Sequence, residues 1–284
     1  MRKFTLFAAL FAAMTLSAQE PEWVAQIEIE GQQINSLNCQ NLHELLKAEK
    51  VDEEKDMAVT FDREKSVLLF RNADIKWHDV QDLPFLKVEE NLTIVAEGEN
   101  SVEMKDAKFF IIAKSDVTIQ AEKASGSKLK TYGISWGQKA ENAPFSGTFA
   151  YLDGNVSLTI KNLTATALYF EHAIVGAKDA ANKVTFEKLS CRMEVSKEAT
   201  MEIAEMNFKG CEIKDPAGAT FSAELKGIAK DGQLVAGKAI TIRPATEDIE
   251  NLQSEAQNQK FFRNGQLLIL RDGKTYTPTG QEIK

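Results

Sequence analysis

Three cysteines, three histidines, six prolines and sixteen glycines in 284 residues are few, and each scarcity excludes a class of protein. Low glycine and proline rule out collagen-like and linker-dominated chains. His43, His78 and His172 are scattered. The chain has no His-Glu-x-x-His, Gly-x-Ser-x-Gly, phosphate loop or dinucleotide fingerprint, which removes zincin and nucleotide-driven chemistry at the level of motifs. Cys39, Cys191 and Cys211 form no C-x-x-C pair and no Cys/His cluster of zinc spacing. Positive charge is short as well: 34 Lys and Arg stand against 42 Asp and Glu, a net of -8. A nucleic-acid partner is not expected, because such binding is carried by clustered basic side chains. No cofactor is expected.

Long apolar runs are absent with one exception, at the start. Arg2 and Lys3 precede the apolar stretch Phe4 to Leu16, and the small pair Ser17-Ala18 precedes the polar Gln19, Glu20, Pro21 and Glu22. This is the three-part pattern of a secretory signal peptide, with cleavage expected after Ala18. The run is too short to span a bilayer, which needs roughly 20 residues. Loss of the leader takes Arg2 and Lys3, leaving 32 basic against 42 acidic residues, a net of -10. The expected destination is export to the cell surface or beyond, with the periplasm second, and no membrane span in the mature chain.

What the chain has in quantity is apolar residues, 43% against 27% charged, enough for one packed body. Those residues are arranged in a repeat. Leu92-Thr93-Ile94, Val117-Thr118-Ile119, Leu158-Thr159-Ile160, Val184-Thr185-Phe186 and Ile240-Thr241-Ile242 are each an aliphatic-Thr-apolar triplet, and Met201-Glu202-Ile203 is a weaker copy. The intervals between the threonines are 25, 41, 26 and 56 residues. In a strand the flanking apolar side chains share one face and the threonine takes the other, so stacked copies bury an apolar column and align threonines outside. Periods near 25 residues belong to solenoids. The expected fold is therefore all-β, a parallel β-solenoid of about seven coils at ~25 residues each, roughly 35 Å tall. An antiparallel β-sandwich is the alternative, disfavoured because two-residue hairpin signals are scarce between residues 85 and 240, with Asp153-Gly154 and Asp231-Gly232 the exceptions.

The pattern divides into a signal peptide (1–18), an N-terminal cap (19–60), the solenoid body (61–243), a linker (244–260) and a C-terminal β tag (261–284). In the cap, Trp23 to Ile29 reads as a strand, Glu30-Gly31 as a turn and Asn38 to Lys50 as a short helix presenting Leu42, Leu45 and Leu46. Val59 to Phe61 and Ser66 to Phe70 read as a hairpin into the ladder. The tag carries Asn264-Gly265, Asp272-Gly273 and Thr279-Gly280, the turns of a meander of three or four strands. Ser190-Cys191-Arg192-Met193 echoes Gly210-Cys211-Glu212-Ile213 at an offset of 20. On adjacent coils these cysteines would stand about 5 Å apart at Cα, so Cys191 and Cys211 are expected as either a disulfide or a buried thiol pair, with Cys39 free.

The run from Asn264 through Gln266-Leu-Leu-Ile-Leu-Arg-Asp-Gly-Lys-Thr-Tyr276 to Thr279-Gly280-Gln281-Glu282 resembles the C-terminal type IX secretion sorting domain of some Gram-negative bacteria. It covers about the last 40 residues and has Thr277 where Asn commonly follows the Tyr. The body, from Val59-Thr-Phe-Asp62 through Ser66 to Ile75 and Asn91 to Asn100, resembles secreted β-solenoid proteins of the same bacteria described as adhesin-like or carbohydrate-binding-like. That resemblance spans most of residues 24 to 242 and implies first a β-solenoid fold and a secreted or surface location, and after these the binding role by which such proteins are described.

Acidic residues such as Glu89-Glu90, Glu97, Glu99 and Asp52-Glu53-Glu54 fall on turns and flanks and read as solvated surface. Asp74, His78, Asp79 and Asp82 around Trp77 are the densest polar group, but their spacing matches no calcium loop. His43 is expected to face outward on the short helix, and His172 follows Glu171 in a strand-like run. No catalytic residue is assigned. The largest interruption of the ladder, Lys123 to Phe149, places Tyr132 and Trp136 on one strand face, with Pro144, Phe145 and Phe149 following and Tyr151 just beyond. Tyr132, Trp136 and Tyr151 are the candidate ligand-binding residues: exposed, they stack on sugar rings or enter a protein partner; buried, they fill the interior. The expected function is a non-enzymatic surface or secreted module for adhesion or glycan binding. A β-helix polysaccharide lyase or hydrolase and a self-associating structural surface protein are the alternatives.

Overall fold

The computed structural model describes residues 20–79, 83–105, 108–122, 127–134, 146–164 and 166–245, and the backbone of four C-terminal strands. Ala18, Asp82, Trp136, Pro144, Phe145 and the three turns of the tag lie outside the described residues, as do the side chains of Trp77, His78 and Asp79.

The chain opens with β1 (Val24–Ile29), β2 (Gln32–Asn35), α1 (Leu42–Leu45), β3 (Glu49–Lys50) and β4 (Ala58–Asp62). Winding then begins. β5 (Val67–Arg71), β6 (Ala73–Asp79) and β7 (Leu86–Val88) make the first turn, and β8 (Leu92–Glu97), β9 (Glu99–Lys105) and β10 (Phe109–Ala113) the second. β11 (Val117–Ala121), β12 (Lys128–Ile134) and β13 (Thr148–Leu152) make the third, and β14 (Ser157–Lys161), β15 (Thr166–Phe170) and β16 (His172–Gly176) the fourth. β17 (Lys183–Glu187), β18 (Cys191–Val195) and β19 (Thr200–Met201) complete the fifth, and β20 (Glu205–Lys209) starts another. Each turn supplies one strand to each of three parallel sheets, so the body is a three-walled β-solenoid of about five turns. We call the wall of β5, β8, β11, β14, β17 and β20 the first, that of β6, β9, β12, β15 and β18 the second, and that of β7, β10, β13, β16 and β19 the third.

The threonine repeat sets the register. Thr93, Thr118, Thr159 and Thr185 are direct neighbours on successive strands of the first wall. Behind them Leu68, Ile94, Ile119, Ile160 and Phe186 form one continuous buried column. The rung after Thr185 is Asn207, from Met206-Asn207-Phe208, so the weaker copy at Met201-Glu202-Ile203 is not the next rung. Nor is Ile240-Thr241-Ile242 a coil. After β21 (Cys211–Asp215) the chain reverses through β22 (Thr220–Ser222), β23 (Gly227–Lys230) and β24 (Gln233–Leu234), and β25 (Ala239–Pro244) inserts antiparallel between β18 and β21. Those residues form a cap, which is why about seven expected coils become about five.

Corners are built by two devices. Between the first and second walls a residue takes a left-handed conformation at each corner that is described in full, Asn72, Gly98, Asn162, Lys188 and Gly210, with φ from 46° to 68°; the corner of the third turn includes residues 123–126, outside the described residues. Between the second and third walls two consecutive residues point inward, which breaks the alternation of the strand. Phe110 and Ile111, and Phe149 and Ala150, are all buried. The extra inward residues stack: Phe85 on Phe110 at 5.0 Å and Phe110 on Phe149 at 5.3 Å, both nearly parallel, with Phe170 tilted against them.

At the N-terminal end every wall is closed by an antiparallel strand, β1 on β7, β3 on β6 and β4 on β5. Such reversal ends the parallel stacking that an open edge would invite. Glu30-Gly31 and Asp231-Gly232 are two-residue hairpin turns with both φ positive, the type I′ geometry. Asp153-Gly154 joins β13 to β14 around a corner, so it is not a hairpin. The expected helix is one turn long, because Lys47 takes φ 48° and the chain leaves to form β3. The tag folds as a four-stranded antiparallel sheet of β26 (Gln259–Arg263), β27 (Gln266–Arg271), β28 (Lys274–Tyr276) and β29 (Glu282–Ile283).

Candidate functional site

A solenoid shows its environment the outward residues of each wall, and here the three walls carry different chemistry. The first is mainly polar: one outward row is Thr93, Thr118, Thr159, Thr185 and Asn207, and the next runs from the apolar Leu69 and Val95 to Gln120, Lys161 and Glu187. At its N-terminal end lies a groove of about 650 Å³, lined by Trp23, Cys39, Leu69 and Val95. The basic side chains at its rim are committed to carboxylates, Arg63 to Glu90 at 2.7 Å and Lys65 to Asp62 at 2.8 Å.

The second wall is a ladder of charges interrupted by two tyrosines. Lys76 contacts Asp74 at 2.8 Å and Glu49 at 3.4 Å, Lys128 contacts Glu99 at 2.7 Å, and Arg192 contacts Glu194 at 2.6 Å. Between them Tyr132 on β12 lies directly beside Tyr169 on β15, rings 4.6 Å apart and 13° from parallel. Lys130 holds its ammonium 4.8 Å from the Tyr132 ring centre and 5.6 Å from that of Tyr169. Leu129 and Thr131 point inward, so Tyr132 shares the outer side with Lys130. It is nonetheless only 9% exposed, because the neighbouring ring covers it. Stacked in this way, each ring covers one face of the other. Burial raises the Tyr169 phenol above its ordinary value, with Glu194 adding to the shift and Arg192 opposing it. On the same wall burial and the negative Asp74 raise the half-buried Glu103 carboxyl, while Lys76 and Lys130 oppose.

The third wall is apolar where it meets water. Its outward row is Lys87, Ile112, Tyr151, Val175 and Met201, one residue per strand in direct register. Phe109 joins this row, its ring 5.3 Å from Tyr151 and tilted by 35°, with the Lys108 ammonium 5.5 Å from its centre. Phe109, Ile112, Tyr151, Val175 and Met201 are all partly exposed. Charged pairs frame them: Lys87 with Glu28 at 3.0 Å and Glu89 at 3.4 Å, and Lys114 with Glu89 at 2.8 Å. His172 sits at the margin, Nδ1 2.7 Å from the Glu198 carbonyl oxygen. A wall of a solenoid needs apolar residues only on its inner side, so an outer apolar column is not explained by folding.

Of the residues marked in the sequence, Tyr132 and Tyr151 therefore stand on different walls, and Trp136 lies outside the described residues. Phe109, Ile112, Val175 and Met201 were missed. Their signal was weak: each is an ordinary strand residue, and only the three-walled winding brings them together. Cys191 and Cys211 are buried thiols that are not joined by a disulfide. β25 runs between their strands, so the neighbouring-coil register implied by the echo is not formed. Two strand spacings, ~9.6 Å, exceed the Cα reach of a disulfide. Burial pushes the Cys191 thiol up to about 12, with Arg243 opposing and Cys211 adding. Among the described residues no three His, Cys, Asp or Glu side chains gather in a geometry that would hold a metal ion, and no helix is long and apolar enough to cross a membrane. Comparison of the chain with protein-family models, curated proteins and solved structures finds no match.

Proposed function

We propose that the protein is a non-enzymatic secreted or surface-exposed module that binds glycan through the outer side of its third wall. The supporting observation is the column of Phe109, Ile112, Tyr151, Val175 and Met201. Phe109 and Tyr151 present tilted, partly exposed rings of the kind that take the apolar face of a sugar, and the flanking Lys87 and His172 offer polar contacts at its edge. Successive strands are ~4.8 Å apart, so the column is a linear platform suited to a chain of sugar units. The leader and the resemblance of the C-terminus to a sorting domain support a place outside the cell.

The test is a glycan array with residues 19–284, with product analysis by mass spectrometry on every hit. Binding without cleavage, lost in Phe109→Ala and Tyr151→Ala variants whose melting temperature falls by no more than about 4 °C, is the expected result. Cleavage of a bound glycan would move the protein to the polysaccharide-active class and direct attention to Glu103 beside Asp74, the acid whose raised protonation suits proton donation. Binding that survives both substitutions would remove the third wall from the reading.

A further inference from the structure

Both ends of the solenoid are capped, but the capping is unequal. At the N-terminal end all three walls close on antiparallel strands. At the other end the second wall is closed by β25 and β21. The third is covered by the β22–β24 hairpins, through bonds such as Ala199 N–H to the Val235 carbonyl and Ile203 N–H to the Lys226 carbonyl. The first wall ends on β20, which among the described strands has β17 on one side and nothing on the other.

The exposed groups on that edge follow from the register. Glu205 N–H donates to Asn182 and the Lys209 carbonyl accepts from Lys188, so residues 205, 207 and 209 bond back to the body. The N–H and C=O groups of Met206 and Phe208 therefore point outward from the edge. Beside them lies an apolar groove of about 340 Å³, lined by Phe208, Ile213, Ala219 and Phe221.

Glu205-Met206-Asn207-Phe208-Lys209 is complementary to itself when reversed. We propose that β20 pairs antiparallel with β20 of a second copy of this chain, about a two-fold axis at Asn207. Glu205 then faces Lys209 of the second copy on the outer side, twice over. Met206 faces Phe208 on the inner side, continuing the buried column of the first wall and reaching the apolar groove. Asn207 faces itself. This register also matches the free backbone groups, because Met206 and Phe208 become the mutually hydrogen-bonded pairs and Asn207 the non-bonded pair, giving four new ladder bonds. A shift by one residue would put Glu205 and Lys209 out of register and turn outward side chains inward.

The experiment uses the mature chain, residues 19–284, and two charge reversals at exposed positions. Sedimentation velocity should show a dimer for the native sequence. E205K carries lysine at both ends of the strand and K209E glutamate at both, so each alone sets two like-charge rungs and should dimerise about tenfold more weakly or worse. Mixed in equal amounts, the two should restore a heterodimer, which misfolding of either variant would not do. Hydrogen exchange should show the Met206 and Phe208 amides protected in the dimer and unprotected in either variant alone. A native chain that sediments as a monomer, a dimer indifferent to both reversals, or a mixture that fails to associate would each overturn the proposal. Protected Met206 and Phe208 amides in a monomer would assign the edge to another segment of the same chain.

Discussion

Phe109 and Phe110 are adjacent in sequence and opposite in fate, and substituting each by alanine tests the winding. Phe110 is 4% exposed, with Phe85 and Phe149 stacked on its two faces and Phe170 against its edge. Truncation leaves a hole among three large rings that belong to two walls, so little collapse can fill it. The expected cost is about 3–5 kcal/mol. At roughly 2–4 °C per kcal/mol for a chain of this size, the melting temperature should fall by roughly 6–20 °C. Phe109 points out and is only partly covered, so its truncation should cost about 1 kcal/mol, half of what full burial of a phenylalanine contributes. Thermal and guanidinium unfolding followed by circular dichroism measure both. Equal losses, or a larger loss at Phe109, would refute the two-inward-residue corner and with it the outward column of the third wall.

Other perturbations report on the corners, the buried thiol and the surface charges. Gly98→Ala places a Cβ 2.0 Å from the Asn72 amide oxygen in a φ +68° conformation, and that oxygen accepts from the Glu99 amide; a loss of about 1–3 kcal/mol in chemical unfolding is expected. Asn182→Ala removes an amide with no exposure that donates to the Glu202 carbonyl at 3.1 Å and accepts from the Ala204 N–H at 2.9 Å. It should destabilise by about 1–3 kcal/mol, and a value near zero would contradict the bonding. Because burial holds the Cys191 thiol at about 12, a thiol reagent at about pH 8.5, where an ordinary cysteine is half ionised, should label it only after denaturant is added. Rapid labelling of the native protein at Cys191 would refute its burial. Lys114, with Lys87, holds the Glu89 carboxyl below its ordinary 4.5. A lowered native value means stability that is complete above 4.5 and lost as pH falls through the native value, so the melting temperature of Lys114→Gln should change less with acidification than that of the native chain.

Much of the fold was legible locally. Thr93, Thr118, Thr159 and Thr185 lie in register because a strand alternates with period two, and each triplet states its inside and outside alone. Glu30-Gly31 and Asp231-Gly232 were readable for the same kind of reason, since positive φ at two successive residues is a local steric demand.

The outward column of the third wall was not legible. Ile112, Tyr151, Val175 and Met201 come from four turns of the chain and share nothing but a place on the third wall, and Phe110 and Phe149 break the alternation that would have located that wall. Reversal at the end was equally hidden. Ile240-Thr241-Ile242 has the same period as the coil triplets, and an apolar-polar-apolar strand pairs as readily antiparallel as parallel. Strand character, turns and the threonine register therefore followed from the sequence by short-range sterics and periodicity. The direction of β25, the separation of Cys191 from Cys211 and the gathering of the aromatic column depended on which distant strand became each one's neighbour, a choice made by packing over the whole core.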